Sequence, residues 1–200
     1  MIYFLSDAHL GDDRFELLLR PFKDRDQYLN TIKNNWNSTV KPTDTVFILG
    51  DVCYTNNPEL LPFYDTLNGK KHLILGNHDD QDISVYKKYF DIVQDSYIIE
   101  TTQKDGEKTS DIKLFLNHYP SKGKVDYFNL CGHIHGSWRV QKNMINVSVD
   151  CWGFRPVSLE KILFLKKAIE NFYDDDVWVG NHPANLAHKE RGKKGTYYNK

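Results

Sequence analysis

The chain has 200 residues, 40 % of them hydrophobic and 26 % charged, with a formal net charge of −1. That length suits one domain with a substantial core, and the near-neutral charge argues against the broad basic footprint of a dedicated duplex-DNA binder. The three cysteines, Cys53, Cys131 and Cys151, form no C-x-x-C pair, which speaks against a disulfide framework or a thiolate zinc site.

Five short apolar runs each end on polar residues of metal-binding type. Ile2-Tyr3-Phe4-Leu5 precedes Ser6-Asp7-Ala8-His9, and Val46-Phe47-Ile48-Leu49 precedes Gly50-Asp51. Leu73-Ile74-Leu75 leads into Gly76-Asn77-His78-Asp79, and Leu114-Phe115-Leu116 into Asn117-His118. Phe128-Asn129-Leu130-Cys131 leads into Gly132-His133-Ile134-His135-Gly136. Runs of this length, bounded by glycine and polar residues, predict buried strands. In open α/β sheets, sites gather at the carboxyl ends of the strands, so one edge would collect all five motifs.

Helical spacing of Phe22, Leu29, Ile32 and Trp36 predicts a helix within 22–37, and Asn57-Pro58 opens a second one carrying Leu60, Leu61, Tyr64 and Leu67. Asp82 is placed to cap a third, with Ile83, Tyr86 and Phe90. Segments 97–101 and 112–116 predict a hairpin around a polar, glycine-containing loop at 102–111. A sixth strand is expected over 144–149 and a last helix from Ser158 to about Ile169. Residues 1–173 are expected to form one domain. The polar segment 174–200 is expected as an arm of that domain or as partly disordered chain. Trp178, Tyr197 and Tyr198 suggest that some of it packs, whereas His182 and His188 are expected to be solvated. No run reaches the ~18 apolar residues of a membrane span, and the first five residues are too short for a signal-peptide core. A cytoplasmic setting is expected.

Residues i and i+2 of a strand point the same way, so Asp7 with His9, and His133 with His135, can each face one ion. Asp51 is the natural bridging carboxylate, Asn77 offers an amide oxygen and His118 another imidazole. This donor set suits divalent Mn, Fe, Zn or Ni, with manganese favoured. Two such ions ~3.5–4 Å apart acidify a bridging water toward a pKa of ~7 and clamp an in-line displacement at phosphorus. His78 is placed to protonate the leaving oxygen as general acid, with Asp79 or another carboxylate to hold its other ring nitrogen. Arg20 is a candidate phosphate contact, since guanidinium matches phosphate geometry. Tyr54, Tyr119 and Trp138 are candidate base-stacking residues near the motifs. Each motif alone is weak, because an aspartate after a strand is commonly a turn residue. The five in this order are specific.

The series D-x-H, G-D, G-N-H-D, N-H and G-H-x-H, from Asp7 to His135, resembles the calcineurin-like metallophosphoesterases. The stretch from Asn146 to Leu159 and Arg20-Pro21-Phe22 are similar to the small bacterial and phage branch. The resemblance implies a four-layer α/β/β/α sandwich with a dinuclear site at one edge. It implies a first ion on Asp7, His9, Asp51 and His135, a second on Asp51, Asn77, His118 and His133, and His78 as catalytic histidine. The G-D motif continues as Val52-Cys53-Tyr54-Thr55 and lacks the G-D-x-V-D-R-G pattern of the protein-phosphatase branch. A phosphodiester or small phosphomonoester is therefore the expected substrate, possible forms including a nucleotide or an RNA or DNA end. A nuclease or RNA-end-processing enzyme is the alternative, followed by a non-catalytic metal-binding module.

Overall fold

The computed structural model describes residues 1–54 and 57–173. The expectations for 174–200 lie outside the described residues. The chain is a mixed α/β fold with two five-stranded sheets. The first sheet runs in the order β10 (Val157–Ser158), β1 (Ile2–Leu5), β2 (Thr45–Ile48), β3 (Lys70–Ile74) and β4 (Ile92–Gln94). Strands β1 to β4 are parallel, and β10 joins antiparallel to β1. The second sheet is ordered β5 (Ser96–Asp105), β6 (Lys108–Asn117), β7 (Phe128–Cys131), β9 (Met144–Asn146) and β8 (Val140–Gln141). Here β6, β7 and β9 are parallel.

The period of two along β1 to β3 divides two cores. Tyr3, Leu5, Val46, Ile48 and Leu73 pack into a core shared with Tyr28, Ile32 and Trp36 of α1 (Arg25–Thr39). Their neighbours Phe4, Phe47, Leu49 and Ile74 face the other way, against Leu114, Leu116, Leu130 and Ile145 of the second sheet. Strands buried on both faces read as continuous apolar runs, which is why the sequence shows runs rather than alternation. Helix α1 starts where Asp24 accepts a bond from the Gln27 amide at 2.8 Å. Ser158 caps α3 (Leu159–Phe172) through the Lys161 amide at 3.2 Å, and Ile162 and Ile169 enter the core between the sheets.

Three expectations change in form. Pro58–Thr66 is a 3-10 helix, and Asn57 makes no side-chain cap bond. Pro62 inside the segment has no N–H to give and opposes a regular α-helix. Helix α2 (Ile83–Tyr86) is a single turn, though Asp82 does cap it at the Ser84 amide, 2.8 Å away. The polar segment 102–111 is almost entirely ladder, with Asp105 opposite Lys108 across a turn at Gly106 and Glu107. Gly106, at φ 59°, supplies the left-handed conformation that such a tight hairpin needs.

Candidate metal centre

The carboxyl ends of β1, β2 and β3 meet those of β6 and β7 at one rim. Ser6 fastens the two sheets there: its amide donates to Val147 O at 3.1 Å, and its carbonyl accepts from the Val149 amide at 3.0 Å. The His133 amide adds a third link, donating to Asp7 Oδ1 at 2.9 Å. The rim gathers ligand atoms of Asp7, His9 and His135, of Asp7, Asp51 and His118, and of His9, Asp51 and His78 into groups whose members lie within 4.8 Å of one another. Asn77 joins them: its Oδ1 is 3.1 Å from His118 Nε2 and 2.9 Å from His133 Nδ1. All seven ligand candidates and His78 therefore converge on one rim.

The backbone is bent to achieve this. Asp7, His9, Asp51, His133 and His135 all have φ between 46° and 74°, a left-handed region that side-chain-bearing residues seldom adopt. Such strain persists where the surroundings over-determine it, and it clusters at functional sites. Two glycines make the crowding possible. A Cβ on Gly50, itself at φ +87°, would lie 2.5 Å from His118 Nδ1, and one on Gly76 would lie 2.7 Å from the Asp51 amide.

The electrostatics call for a cation. His9 is buried, and neither ring nitrogen makes a hydrogen bond, although Nε2 is 3.2 Å from Asp51 Oδ2. A buried imidazole left without partners is costly unless something outside the protein fills the gap. Burial pushes Asp51 up, but the imidazoles of His118 and His9 beside it outweigh that and hold the carboxyl well below the usual range. Against its own burial, His118 is raised by Asp51 and Asp7. His118 Nδ1 is 2.7 Å from Leu49 O, a bond in which the ring donates, leaving Nε2 turned to Asn77 and Asp51. His135 Nδ1 is likewise held by Asp150 Oδ2 at 2.8 Å. A ring nitrogen fixed by such a partner leaves its other nitrogen basic and aimed, as in carboxylate–histidine–metal arrangements. Carboxylate, imidazole and amide donors without a thiolate fit a divalent ion, and the three cysteines are absent from the clusters.

Two of the expected site residues play other parts. The Arg20 side chain is fully buried and its donors go to protein acceptors. It pairs with Asp150 at 2.7 and 3.0 Å, and reaches the carbonyls of Asp7 and Ala8 at 2.7 and 3.2 Å. It is a brace beneath the β1 loop and not a phosphate contact. Asp79 is buried too, and its carboxylate accepts from the amides of Asp51, Val52 and Gly76 at 2.8, 3.0 and 2.8 Å. It fastens the loop after β3 to the loop after β2, instead of serving the His78 ring as expected. Burial raises its carboxyl to about 6.

Asp150 is the residue the sequence reading passed over. An aspartate in the 3-10 turn Val149–Cys151 carries no local motif, and its partners Arg20 and His135 are 130 and 15 positions away. Tyr54 lies beside His78, ring centres 5.6 Å apart, and Tyr119 beside His118 and His133 at 4.9 and 5.0 Å. Arg14 stacks over Tyr54 at 4.6 Å while its guanidinium chelates the buried Asp12. His72 stands apart, stacked 5.0 Å from Phe47.

Two sheets whose strand ends deliver aspartates and histidines to a cation-seeking rim define a metallophosphoesterase. The chain belongs to the calcineurin-like phosphoesterase family, whose model matches residues 1–195. It is 29 % identical over 180 residues to the uncharacterised protein MJ1445 of Methanocaldococcus jannaschii, covering 82 % of this chain and 90 % of that one. It is 27 % identical over 190 residues to the Gene 66 protein of Mycobacterium phage L5, covering 80 % and 91 %. Among solved structures it resembles the protein of unknown function AQ665 from Aquifex aeolicus. The TM-score is 0.59 at 26 % identity, over 82 % of this chain and 98 % of that one. Membership implies metal-dependent hydrolysis of a phosphoric ester. No helix of the described residues is long and apolar enough to cross a membrane.

Proposed function

We propose that the protein is a dinuclear phosphoesterase acting on a phosphodiester or small phosphomonoester. The observation that carries this is His9: a buried imidazole with no hydrogen bond, set among Asp7, Asp51, His78 and His135. The first ion takes Asp7, His9, Asp51 and His135, and the second takes Asp51, Asn77, His118 and His133, with manganese the first choice. When bound, the ions supply an activated water and offset the charge on the phosphoryl oxygens.

The chain's own residues do the rest. Asp51 reaches both halves of the rim, and its Oδ1 also accepts from the His78 amide at 2.9 Å. That bond sets His78 beside the ligands, where its ring protonates the leaving oxygen. Tyr54 limits the ring's swing. Asp79 is a positioning residue, holding the turn that carries Asn77 and His78. We further read the two sheets with their helices as the four-layer α/β/β/α sandwich of the family, a reading that the α1 core on the first sheet supports. Free, buried cysteines fit a reducing compartment such as the cytoplasm.

The second reading is a nuclease or end-processing enzyme, supported by Tyr54 and Tyr119 flanking the rim as stacking platforms. Assay of the Mn²⁺-loaded protein on bis-p-nitrophenyl phosphate, p-nitrophenyl phosphate and a single-stranded oligonucleotide separates the readings. His78→Ala is expected to keep the metal and lose turnover by about 10²–10⁴-fold. Undiminished turnover in that variant removes the general-acid role, and no turnover on any ester with metal bound removes the enzyme reading.

A further inference from the structure

A groove of about 830 Å³ opens beside the metal centre. His133, His135 and Asp150 line it from the rim, and Leu17, Leu19, Phe154 and Ser137 are among its other lining residues. The volume falls within the range of small-molecule sites. Leu17 and Leu19 are 71 % and 91 % exposed, so they serve no core.

The segment that carries them is anchored. The amides of Leu18, Leu19 and Arg20 bond back to the carbonyls of Arg14, Glu16 and Phe15 at 3.0, 3.1 and 2.8 Å. Phe15 before the leucines and Arg20 after them are both buried. Arg20 grips Asp150, the same carboxylate that holds His135, so the apolar wall and a metal ligand share one brace. Leu19 is held at φ 55°, a conformation that disfavours leucine. Large apolar side chains presented to solvent on a strained but anchored turn mark a binding surface. Among the described residues no lysine or arginine lines the groove, and the one carboxylate there is already paired with Arg20. The described leucine and phenylalanine side of the groove offers no charge to a second phosphate.

We propose that this groove receives a compact alkyl or aryl group of the substrate while the rim holds its phosphate. The enzyme then prefers a small phosphoester with one apolar substituent over a polyanionic chain. The inference rests on the phosphoesterase reading of the neighbouring rim.

Calorimetric titration of the Mn²⁺-loaded full chain with methyl-, butyl-, hexyl- and phenylphosphonate tests it, alongside hydrolysis of bis-p-nitrophenyl phosphate. Affinity is expected to rise by up to about fourfold per added methylene. The double variant Leu17→Asn, Leu19→Asn is expected to flatten that rise and leave methylphosphonate binding unchanged. Asparagine tolerates the left-handed backbone at 19, so this variant keeps the fold. Equal binding of methyl- and hexylphosphonate by an active wild-type enzyme overturns the groove and leaves the phosphoesterase standing. A rise that survives the double substitution also overturns it, as does a wild-type dimer that the substitution turns into monomers with no chain-length dependence to lose. Failure of both hydrolysis and methylphosphonate binding overturns the underlying reading instead.

Discussion

Asp150 joins a buried arginine to a rim histidine, and that dual bond gives it consequences a surface aspartate lacks. Burial alone would raise its carboxyl, but His135 and Arg20 hold it down at about 2. Asp150→Asn removes the carboxylate from His135 Nδ1, and metal affinity is expected to fall about 10–100-fold in competition with a metal-sensitive dye. Arg20→Ala strips Asp150 of its buried partner and two carbonyls of their donor. Urea unfolding of the metal-free protein is expected to show a loss of about 3–5 kcal/mol. Asp79→Asn leaves an amide where three backbone N–H groups need acceptors, at an expected cost of about 1–3 kcal/mol in the same measurement. Arg20 and Asp79 were recognisable as site residues in the sequence, but not their tasks. A residue type states which bonds a side chain can make, whereas burial decides which partners are left for it.

Strand ends carry the function at the scale of elements. The principal strands were legible because apolar runs and terminal glycines are local signals. Three short strands were not: Ile92–Gln94, Val140–Gln141 and Val157–Ser158 are too brief to show a period. They exist because a neighbouring strand offers a ladder. The loops after β1, β2 and β7 fold back through left-handed residues, and the sequence does not fix this, since Asp and His adopt positive φ more often than most side chains but at few of their positions. Gly76→Ala tests how tightly the loops are packed. The added Cβ meets the Asp51 carboxylate and, at 2.7 Å, the Asp51 backbone amide, which has no room to swing away. Both metal affinity and thermal stability are expected to drop, as read by dye competition and calorimetry.

At the scale of the whole molecule, the metal rim joins the two sheets. Metal bound only by the folded state stabilises it, so at about 100 times Kd a single site adds about 2.7 kcal/mol. Removing the metal with a chelator is therefore expected to lower the melting temperature by about 5–10 °C in scanning calorimetry. The cysteines report on the same cooperative unit. All three are buried, and burial pushes the Cys151 thiol up to about 11 and the other two higher. A thiol reagent at pH 7.5 is expected to label them only as fast as the protein unfolds.

The sequence by itself determined which residues gather at the rim: seven candidate ligands and His78, each placed at the end of an apolar run, with the family legible from their order. Local chemistry is enough for that, because ligand types and strand signals are both written within a few residues. The tertiary structure alone decided what holds them. Asp150, Arg20 and Asp79 act through partners up to 130 positions away. Only the pairing of the strands sets which buried donor meets which acceptor, and only the packing of the 14–21 turn against the rim puts an apolar wall beside the metal centre.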